Sequence, residues 1–557
     1  MFNDAIDDQP HSAIAAGFVG MDCNTNPQLL EPGMLADGKN MYCRGDGAVE
    51  SRPGLKVACT SVVSLLNYYG AAACSLPITT LGYFDVPGYE AAIYYSTNWF
   101  WAITSGADNA TPVRIETAGI YSNPATGSPL VQMLDTFFYL DTFGRINWLT
   151  YTAGVWTNGI VTTFSSAATM PVWARLVTQG FRLIAIETSG YKLYASAIGA
   201  ATVAANWVST ENIQVGNGEG DPAKAVLATQ GDALTVLNGH SAYQINKSAA
   251  SVANWSSIQV CRHTGCIEGR TAVVVGQDVL FLARFGVVSL GALSDTMSIS
   301  AQAALSAPIQ PYIDRINWAQ ISSAFAVPWR NCYLIALPLD SENEPTHVFA
   351  YDLTLRRWMP PWVYTAAPFT YPGTGGQAAF GLRCSVVTHF ADKTETLIGD
   401  AFGQILRIDE TPTADQTTAS IAAVAPFAPT FSDTAIPCYL RTRSMNHDTT
   451  AAKKQALMLE WELAAFASST DVAVVVLVDD AATVTTAPDS NTVGHIGGFT
   501  LASSGNVTRR NQLRGAFYNR TLAPYYSAAI ELFCAAKKIR VRSLKLSAFH
   551  DAPHYSS

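Results

Sequence analysis

The chain has 557 residues, of which 49% are hydrophobic and only 14% are charged, and its formal net charge is −9. So few charges, against about 25% in ordinary globular domains, indicate extensive burial within domains or against partner subunits. The negative charge and the lack of a basic cluster argue against binding to the outside of a nucleic-acid duplex. The longest apolar run, residues 472–478, is far shorter than the ~20 residues of a spanning helix, so we expect no membrane span.

The N-terminal region, residues 1–60, is polar and rich in turn signals. Residues 1–10 carry three aspartates and no apolar stretch, so we expect no secretory signal. Ten irregularly spaced cysteines favour buried, reduced thiols in a protein made in the cytoplasm. We predict an extended segment here, with a tight turn at Arg44–Gly47 between two short strands. The turn signals are Asn26-Pro27, Pro32-Gly33, Arg44-Gly45-Asp46-Gly47 and Arg52-Pro53-Gly54.

Hairpin turns flanked by short apolar strands then recur at steps of 46 to 49 residues. A period of roughly 40–50 residues in an all-β chain is typical of propeller blades. A further strand pair at 332–353 and a glycine turn near 403 bring the hairpins to seven. We therefore predict an all-β protein with a six- to seven-bladed β-propeller over residues 61–412, although ordinary β-rich chains also carry frequent turn glycines. The periodic turns are at Asn98, Gly144, Gly190, Gly239 and Gly286, and Gly403 belongs to the last hairpin.

Three of these turns share a short sequence. Asp141-Thr-Phe-Gly144, Ala283-Arg-Phe-Gly286 and Asp400-Ala-Phe-Gly403 each lead from one apolar strand to the next. The glycine in each can adopt a positive φ. Asn238-Gly239, between two apolar strands, is the strongest short hairpin signal of the series.

The C-terminal part differs in pattern. Residues 413–434, rich in Ala, Thr and Pro, predict a linker, and residues 435–557 predict a β-sandwich-like interaction domain. The apolar run 472–478 suits a strand covered on both faces. The apolar phase slips near Arg542–Ser543, which predicts a β-bulge.

No catalytic pattern emerges from the chain. It contains neither a Gly-x-Ser-x-Gly elbow nor a phosphate-binding Gly-Lys-Ser/Thr loop, and its nine histidines are scattered. The Cys261/His263/Cys266 cluster lacks a second ligand pair for zinc, and Asn217–Asp221 lacks the spaced oxygen ligands of a calcium loop. We predict no enzyme, no metal and no cofactor, while a carboxylate pair assembled from distant blades stays open.

The N-terminal turns carry a resemblance to a known family. The stretch from Asn26-Pro27-Gln28-Leu29-Leu30-Glu31-Pro32-Gly33 to Asn40…Arg44…Gly47…Arg52-Pro53-Gly54 resembles the opening of bacteriophage tail β-propeller proteins, the nozzle or hub proteins of short-tailed phages. Further similar passages extend to about residue 410, among them Asp232–Tyr243, Gly265-Cys266, Tyr351-Asp352 and Gly399–Gly403. Beyond that point the similarity is loose.

The resemblance implies a structural virion protein rather than an enzyme. It implies a ring subunit of the tail, commonly a hexamer, that forms part of the DNA-ejection conduit and docks adaptor and fibre or needle proteins. Genomic DNA would pass through without specific binding, and the protein would sit in the virion tail after assembly in the host cytoplasm. The alternative is a propeller that binds or cleaves host surface polysaccharide, which would need carboxylates or aromatic side chains clustered on one face.

Overall fold

The structure is a computed structural model. It describes residues 11–60, 77–96, 98–107, 110–117, 122–216, 220–229, 231–247, 250–292, 304–364, 369–370, 377–378, 381–390, 393–410, 414–421, 429–445, 454–465, 470–479, 495–501, 506–511, 526–534 and 539–550.

The predicted all-β class is confirmed, because the described chain is a succession of antiparallel sheets. Most of the sheets between residues 54 and 409 have four strands, each paired with its neighbour along the chain. Five terminal strands precede them: β1 (His11–Ala16), β2 (Gly20–Met21), β3 (Met34–Lys39), β4 (Met41–Cys43) and β5 (Val49–Ser51). Strand β6 is Gly54–Thr60.

Seven sheets follow in chain order, and we number them 1 to 7. Sheet 1 consists of β7 (Thr80–Val86), β8 (Tyr89–Ser96), β9 (Trp99–Ile103) and β10 (Val113–Arg114). Sheet 2 consists of β11 (Val131–Met133), β12 (Thr136–Leu140), β13 (Ile146–Thr152) and β14 (Val155–Val161). Sheet 3 consists of β15 (Trp173–Gln179), β16 (Arg182–Glu187), β17 (Lys192–Ala195) and β18 (Asn212–Gln214). Sheet 4 consists of β19 (Ala223–Ala228), β20 (Ala233–Asn238), β21 (Ala242–Asn246) and β22 (Ser256–Cys261). Sheet 5 consists of β23 (Val273–Val275), β24 (Asp278–Ala283) and β25 (Gly286–Ser289). Sheet 6 consists of β26 (Phe325–Trp329), β27 (Cys332–Leu337), β28 (His347–Asp352), β29 (Arg357–Trp358) and β30 (Trp362–Val363). Sheet 7 consists of β33 (Leu382–Phe390), β34 (Lys393–Asp400) and β35 (Gln404–Asp409), and β6 is its fourth strand. A separate short pair, β31 (Phe369–Thr370) and β32 (Gln377–Ala378), lies between them in sequence.

The seven sheets form a closed circuit of contacts. The first strand of each sheet contacts the first strand of the next, and β33 of sheet 7 contacts β7 of sheet 1. Strand β6 pairs with β35, so a strand that precedes sheet 1 in the sequence completes sheet 7, the last sheet of the circuit. This propeller-like arrangement joins the two ends of the circuit through backbone hydrogen bonds.

The predicted hairpin turns all occupy one structural position. Asn98, Gly144, Gly190, Gly239, Gly286 and Gly403 each lie between the second and third strands of a sheet, as does the connection between β27 and β28. The spacing read from the sequence is therefore the spacing from sheet to sheet.

Both ends of the chain build a second domain, which we call the terminal domain. Its C-terminal strands are β38 (Cys438–Thr442), β39 (Lys454–Ala465), β40 (Thr470–Val478), β41 (His495–Leu501), β42 (Asn506–Asn511), β43 (Ala528–Cys534) and β44 (Ile539–His550). One six-stranded sheet contains β4-β5-β44-β39-β42 with β1 against β44, and the other runs β2-β3-β38-β43-β40-β41. The segment expected to be extended thus supplies five strands to sheets whose other strands lie some 400 residues away in sequence.

Two local predictions in the terminal domain are confirmed. Strand β40 lies between β41 and β43, with Val474 and Val476 in one hydrophobic cluster and Val475 and Leu477 in another, so both faces are covered. The pairing of β39 with β44 skips Arg542, which is the predicted bulge.

The predicted linker contains strands, which differs from the sequence prediction. Strands β36 (Ala414–Ile421) and β37 (Pro429–Ala435) pair antiparallel, and β36 also contacts β6. The Ala, Thr and Pro content indicated a loop, but Thr is also enriched in strands, and here a neighbouring strand provides the backbone partners.

Helical structure in the described residues is limited to short segments of at most six residues. Residues 307–313 form a 3-10 turn followed by one α-helical turn. The described helices are Ala204–Asn206, Val252–Asn254, Gly269–Thr271, Ala307–Ile309, Gln310–Ile313 and Trp318–Ser323. Within the described part of the chain, no helix has the length and apolar character needed to cross a membrane.

Candidate functional site

The glycines of the N-terminal motif make close backbone contacts. Gly33 and Gly47 have φ angles of 85° and 81°, and both lie against Gly17, whose φ is 64°. Val19 N donates to Gly33 O at 3.0 Å, and Phe18 N donates to Gly47 O at 2.8 Å. A Cβ at Gly33 would lie 2.3 Å from the Gly17 carbonyl oxygen, and a Cβ at Gly47 would lie 2.9 Å from the Gly17 Cα. Glycine at both positions lets three backbone segments meet.

Asn26 and the two prolines lie on the exposed side of this motif. The Asn26 side-chain oxygen accepts a hydrogen bond from Gln28 N at 2.9 Å, as in an Asx turn. The Pro27 carbonyl accepts one from Ser444 N at 3.0 Å, which links the motif to the C-terminal strands. Pro32 is exposed and leads into Gly33. These residues shape the backbone rather than present reactive groups.

Arg44 and Gly47 close the predicted tight turn between β4 and β5. Gly47 N donates to Arg44 O at 3.0 Å, and Arg44 Nε donates to Glu50 Oε1 at 2.6 Å. Asp46 forms an ion pair with Arg540 of β44. The Arg-Gly-Asp triplet is therefore tied into the terminal domain on both sides.

Arg52 is the central residue of the motif, and its side chain is fully buried, with 1% exposed. Nη1 donates to Asp415 Oδ1 and to Pro53 O, each at 2.8 Å. Nη2 donates to Asp415 Oδ2 and to Val363 O, and Nε donates to Asn40 Oδ1 at 3.0 Å. All five guanidinium hydrogens thus have acceptors, which is what a buried arginine requires.

These partners come from four parts of the chain. Asp415 belongs to β36 and also accepts from Leu55 N, on β6, at 3.0 Å. Val363 belongs to β30 of sheet 6, and Asn40 precedes β4. We call this cluster the Arg52 junction; it comprises Asn40, Arg52, Val363, Tyr364 and Asp415.

Asn40 and Tyr364 complete the Arg52 junction. Asn40 has a φ of 57° and its Nδ2 donates to Pro437 O at 2.8 Å, while its Oδ1 also accepts from Val363 N at 2.6 Å. The Arg52 guanidinium carbon lies 4.0 Å from the centre of the Tyr364 ring. Burial alone lowers the pKa of Arg52, but the nearby Asp415 carboxylate outweighs it and raises the pKa above the ordinary value. The Arg52 guanidinium is therefore protonated, and Pro53 leads directly from it into β6.

Two of the hairpin turns are organised by an aspartate. Asp141 Oδ1 accepts from Phe143 N and Arg145 N, both at 2.9 Å. Asp400 Oδ1 accepts in the same way from Phe402 N at 2.9 Å and Gln404 N at 2.7 Å. Gly144 and Gly403 then take φ angles of 70° and 79°. Burial raises the pKa of Asp400 to about 8.

The other predicted turn glycines differ from this pattern. Gly286 follows Ala283 in place of an aspartate; its φ is 140°, and a Cβ there would lie 2.1 Å from Ser306 Oγ. Gly239 has no positive φ, because the two-residue loop is formed by Gly239 and His240, with Asn238 N donating to Ser241 O at 2.8 Å. The hairpin predicted at Asn238-Gly239 is thus present between β20 and β21.

Gly190 and the neighbours of Gly239, Asn238 and His240, line a polar cavity of about 420 Å³, which we call the turn cavity. Its wall is formed by the second-to-third-strand turns of sheets 3 and 4 and by the start of the loop from β22 to β23. The described lining residues are Ser189, Gly190, Gly216, Asp221, Asn238, His240, Ser241, Tyr243, Gln259, Arg262 and His263. Of the proposed calcium loop, Asn217–Glu219 lie outside the described residues, and Asp221 accepts from His240 N at 2.8 Å.

Two of the three carboxylates in a second cavity, about 480 Å³ between sheets 6 and 7, are ion-paired. Glu395, with 4% of its side chain exposed, lies 3.0 Å from Arg407 Nε and 2.5 Å from Lys393 Nζ. Glu410 pairs with Arg330 at 2.5 Å. Carboxylates held in this way are poor general acids and bases, so this cavity does not favour glycan cleavage.

An apolar groove of about 700 Å³ lies between the outer strands of sheets 1 and 2. Tyr89 and Tyr151 stack in it with ring centres 4.2 Å apart, beside Trp156. Val113 and Val155 border it with 60% and 61% exposure. We call it the rim groove.

The candidate zinc cluster is used for packing. Cys261 and Cys266 are buried in one hydrophobic cluster, whereas His263 is exposed. Burial raises the pKa of Cys266 to about 12, which keeps the thiol protonated. No group of three or more metal-ligating side chains occurs among the described residues.

Sequence reasoning missed Asp415, Tyr364 and the role of Asn40. Asp415 was placed in a linker, and nothing local shows that an acidic residue there pairs with Arg52. Asn40 was part of the family-like stretch, and its position twelve residues before Arg52 was the only available signal.

Comparisons with known proteins give no assignment. No family model and no curated protein matches the sequence. The chain is similar to the PorZ component of the type-IX secretion system of Porphyromonas gingivalis, with 11% identity and a TM-score of 0.34 over 69% of this chain and 44% of that one. It is also similar to Saccharomyces cerevisiae Sqt1, with 10% identity and a TM-score of 0.38 over 60% and 96% of the two chains, and to the extracellular domain of the putative hybrid two-component system BT4673 of B. thetaiotaomicron, with 9% identity and a TM-score of 0.38 over 86% and 59%. Similarities this weak carry no argument about function.

Proposed function

We propose that this chain is a structural virion protein, a ring subunit of a phage tail nozzle or hub that forms part of the DNA-ejection conduit. In this proposal the seven sheets are the blades of a seven-bladed β-propeller, and the terminal domain is a β-sandwich-like interaction domain. The subunit assembles as a homo-oligomer, with six copies as the expected number. Adaptor and fibre or needle proteins are its further partners, in a tail assembled in the host cytoplasm.

The Arg52 junction is the observation that carries the proposal. The residues that resemble the phage family lie where the strand that closes the circuit of sheets is fixed to the terminal domain. Arg52 reaches sheet 6 through Val363 and the β36 strand through Asp415. Because the pair is buried and all its hydrogen bonds are made, separating the two domains is unfavourable. A subunit of a DNA-ejection conduit needs this resistance, since ejection exerts force on it. The residues of the Arg52 junction do not line the turn cavity, the cavity between sheets 6 and 7 or the rim groove.

The distribution of exposed apolar side chains supports subunit contacts. Among the described residues, eleven of the fourteen large apolar side chains that are exposed lie between residues 113 and 258. The terminal domain contacts sheet 6 through β2 and β29, so these side chains belong to other sheets of the circuit. They are Val113, Leu134, Phe143, Val155, Ile160, Val172, Phe181, Ile198, Val203, Val208 and Ile258. Apolar and aromatic side chains are enriched where subunits meet, so we propose that sheets 1 to 4 carry the contacts between copies.

Light scattering and negative-stain imaging of the purified chain test this proposal. Six copies of the 59.6 kDa chain give about 358 kDa and a ring with a central hole. A Val113→Glu/Val155→Glu variant should lower the assembled mass, because it places charge at the rim groove. Leu29→Glu, an equally drastic change at a side chain that is 77% exposed on the N-terminal motif, is the matched control. A mass of one chain at every concentration would contradict the ring assignment.

A further inference from the structure

We propose that the turn cavity binds an acidic saccharide unit, with Arg262 as the carboxylate-binding residue. This site is separate from the Arg52 junction and from the rim groove, so it adds ligand recognition to the proposed ring role rather than following from it.

The turn cavity is built from closely packed backbone. Gly190 has a φ of 71°, and a Cβ there would lie 2.5 Å from Asp221 O and 3.1 Å from Asn238 Nδ2. A Cβ at Gly265 would lie 2.3 Å from Asn238 O, and Cys266 N donates to that same oxygen at 2.9 Å. The turns of sheets 3 and 4 and the following loop are therefore held together without a ligand, which reduces the entropic cost of binding.

Asp221 is already used by the fold. Its Oδ1 accepts from His240 N at 2.8 Å, and its Oδ2 accepts from Ser241 Oγ at 2.5 Å. Both carboxylate oxygens therefore fix the turn that carries His240. Asp221 is also the only carboxylate among the described lining residues, so the cationic groups in the wall have no free acidic partner there.

Three exposed basic side chains line the turn cavity: His240, Arg262 and His263. Arg262 Nε donates to Gln259 Oε1 at 3.0 Å, which orients the guanidinium plane. Its two terminal amino groups make no hydrogen bond to the described residues. A planar guanidinium with both amino groups available suits a carboxylate, to which arginine can donate two parallel hydrogen bonds.

The remaining wall suits hydroxyl groups. Gln259 Nε2 donates to the Tyr243 hydroxyl at 3.2 Å, which leaves the tyrosine proton for an outside acceptor. Ser189 adds an exposed hydroxyl, and the imidazoles can donate or accept. A volume of about 420 Å³ lies in the range of small-ligand sites. A cation surrounded by neutral donors and acceptors matches a sugar ring that carries a carboxylate, such as a uronic acid.

The same wall is less suited to nucleic acid. Single-stranded binding uses aromatic faces for stacking and a continuous basic track, whereas Tyr243 is largely buried, with 8% exposed. The net charge of −9 also disfavours a polyphosphate chain.

Isothermal titration of the full chain with galacturonic acid and its trimer tests the proposal. We expect binding of the acid, at least tenfold weaker binding of galactose, and at least a tenfold loss in Arg262→Gln that Arg262→Lys partly restores. Arg284→Gln is the matched control, because Arg284 is an exposed arginine outside the turn cavity, between β24 and β25, and this variant should bind as the unmodified chain does.

Three results would overturn the proposal. They are no binding of either acid, equal binding by Arg262→Gln, and displacement of the acid by equimolar inorganic phosphate, which would indicate a general anion site. Binding of a DNA oligonucleotide that depends on Arg262 while the uronic acids fail to bind would replace the saccharide with a nucleic acid. The assembled mass of Arg262→Gln should equal that of the unmodified chain, so failure here is distinguishable from failure of the ring assignment.

Discussion

Replacing Arg52 by methionine is the sharpest test of the Arg52 junction. The change keeps most of the side-chain volume but leaves the buried Asp415 carboxylate without its cation. Removing one partner of a buried ion pair costs about 3–5 kcal/mol, a large part of a total stability of about 5–15 kcal/mol. Asn40 Oδ1 and Val363 O also lose the hydrogen bonds that Arg52 donates, although Asn40 Oδ1 keeps the one from Val363 N, which places the expected cost at the upper end of that range.

A double-mutant cycle isolates the ion pair from the other contacts. Asp415→Asn removes the charge but keeps an oxygen for Leu55 N, which donates to Asp415 at 3.0 Å. We expect the double variant Arg52→Met/Asp415→Asn to be more stable than Arg52→Met alone by at least about 1 kcal/mol, because it leaves no buried charge unpaired.

Hydrogen exchange of the β6 and β36 amides is the appropriate assay, since these strands meet at the junction and a two-domain chain need not unfold in one step. The control is Arg315→Met, which removes an exposed pair with Asp340 at 2.7 Å; exposed pairs contribute about 0–1 kcal/mol. If Arg52→Met reduced protection no more than Arg315→Met, the junction would not hold the two domains together.

Three further predictions concern single sites. Gly33→Ala should lower the unfolding midpoint more than Gly88→Ala, because both glycines have a positive φ (85° and 83°) but only Gly33 lacks space for a Cβ; equal midpoints would show that the backbone contact relaxes. Burial raises the pKa of Asp400 from 3.8 to about 8, so its contribution to stability is present at low pH and is lost as the pH rises through about 4 to 8. Asp400→Asn cannot ionise, and its stability relative to the unmodified chain should increase across that range in pH-dependent urea unfolding; a constant difference would contradict the buried-acid assignment. The eight cysteines that are buried among the described residues should react with a thiol reagent only after denaturation. If they reacted in the folded protein as fast as an exposed thiol does, their burial would be contradicted.

Local features of the fold were predictable from the sequence because their signals are local. An aspartate or glycine between two apolar strands marks a hairpin wherever it occurs, and the positions of Gly144, Gly190 and Gly403 in equivalent turns follow from that chemistry. The bulge at Arg542 was likewise visible as a slip in the apolar phase. The hairpin at Asn238-Gly239 was predictable for the same reason, whereas the hydrogen bond from its turn to Asp221, outside the hairpin, was not.

Long-range pairing was not predictable in the same way. Nothing in β6 indicates that its partner is β35, and nothing in β1 to β5 indicates pairing with strands after residue 435. The lining of the turn cavity was not predictable either. Ser189, Asp221 and Arg262 have no regular spacing in the sequence, and only the packing of sheets 3 and 4 brings them together. A buried arginine could be suspected only from the rigid Arg52-Pro53-Gly54 sequence.

The pairing of β6 with β35 sets an order of events during synthesis. About 344 residues separate the end of β6 at Thr60 from the start of β35 at Gln404, so a ribosome adding roughly 5–20 residues per second needs roughly 20–70 s to produce the partner strand. For that time β6 remains an unpaired, apolar edge, the kind of surface on which nascent chains aggregate. A stalled or truncated chain that stops before residue 404 keeps that edge permanently, and misassembly should therefore begin at the N-terminal side of the circuit even when the fault lies near its end.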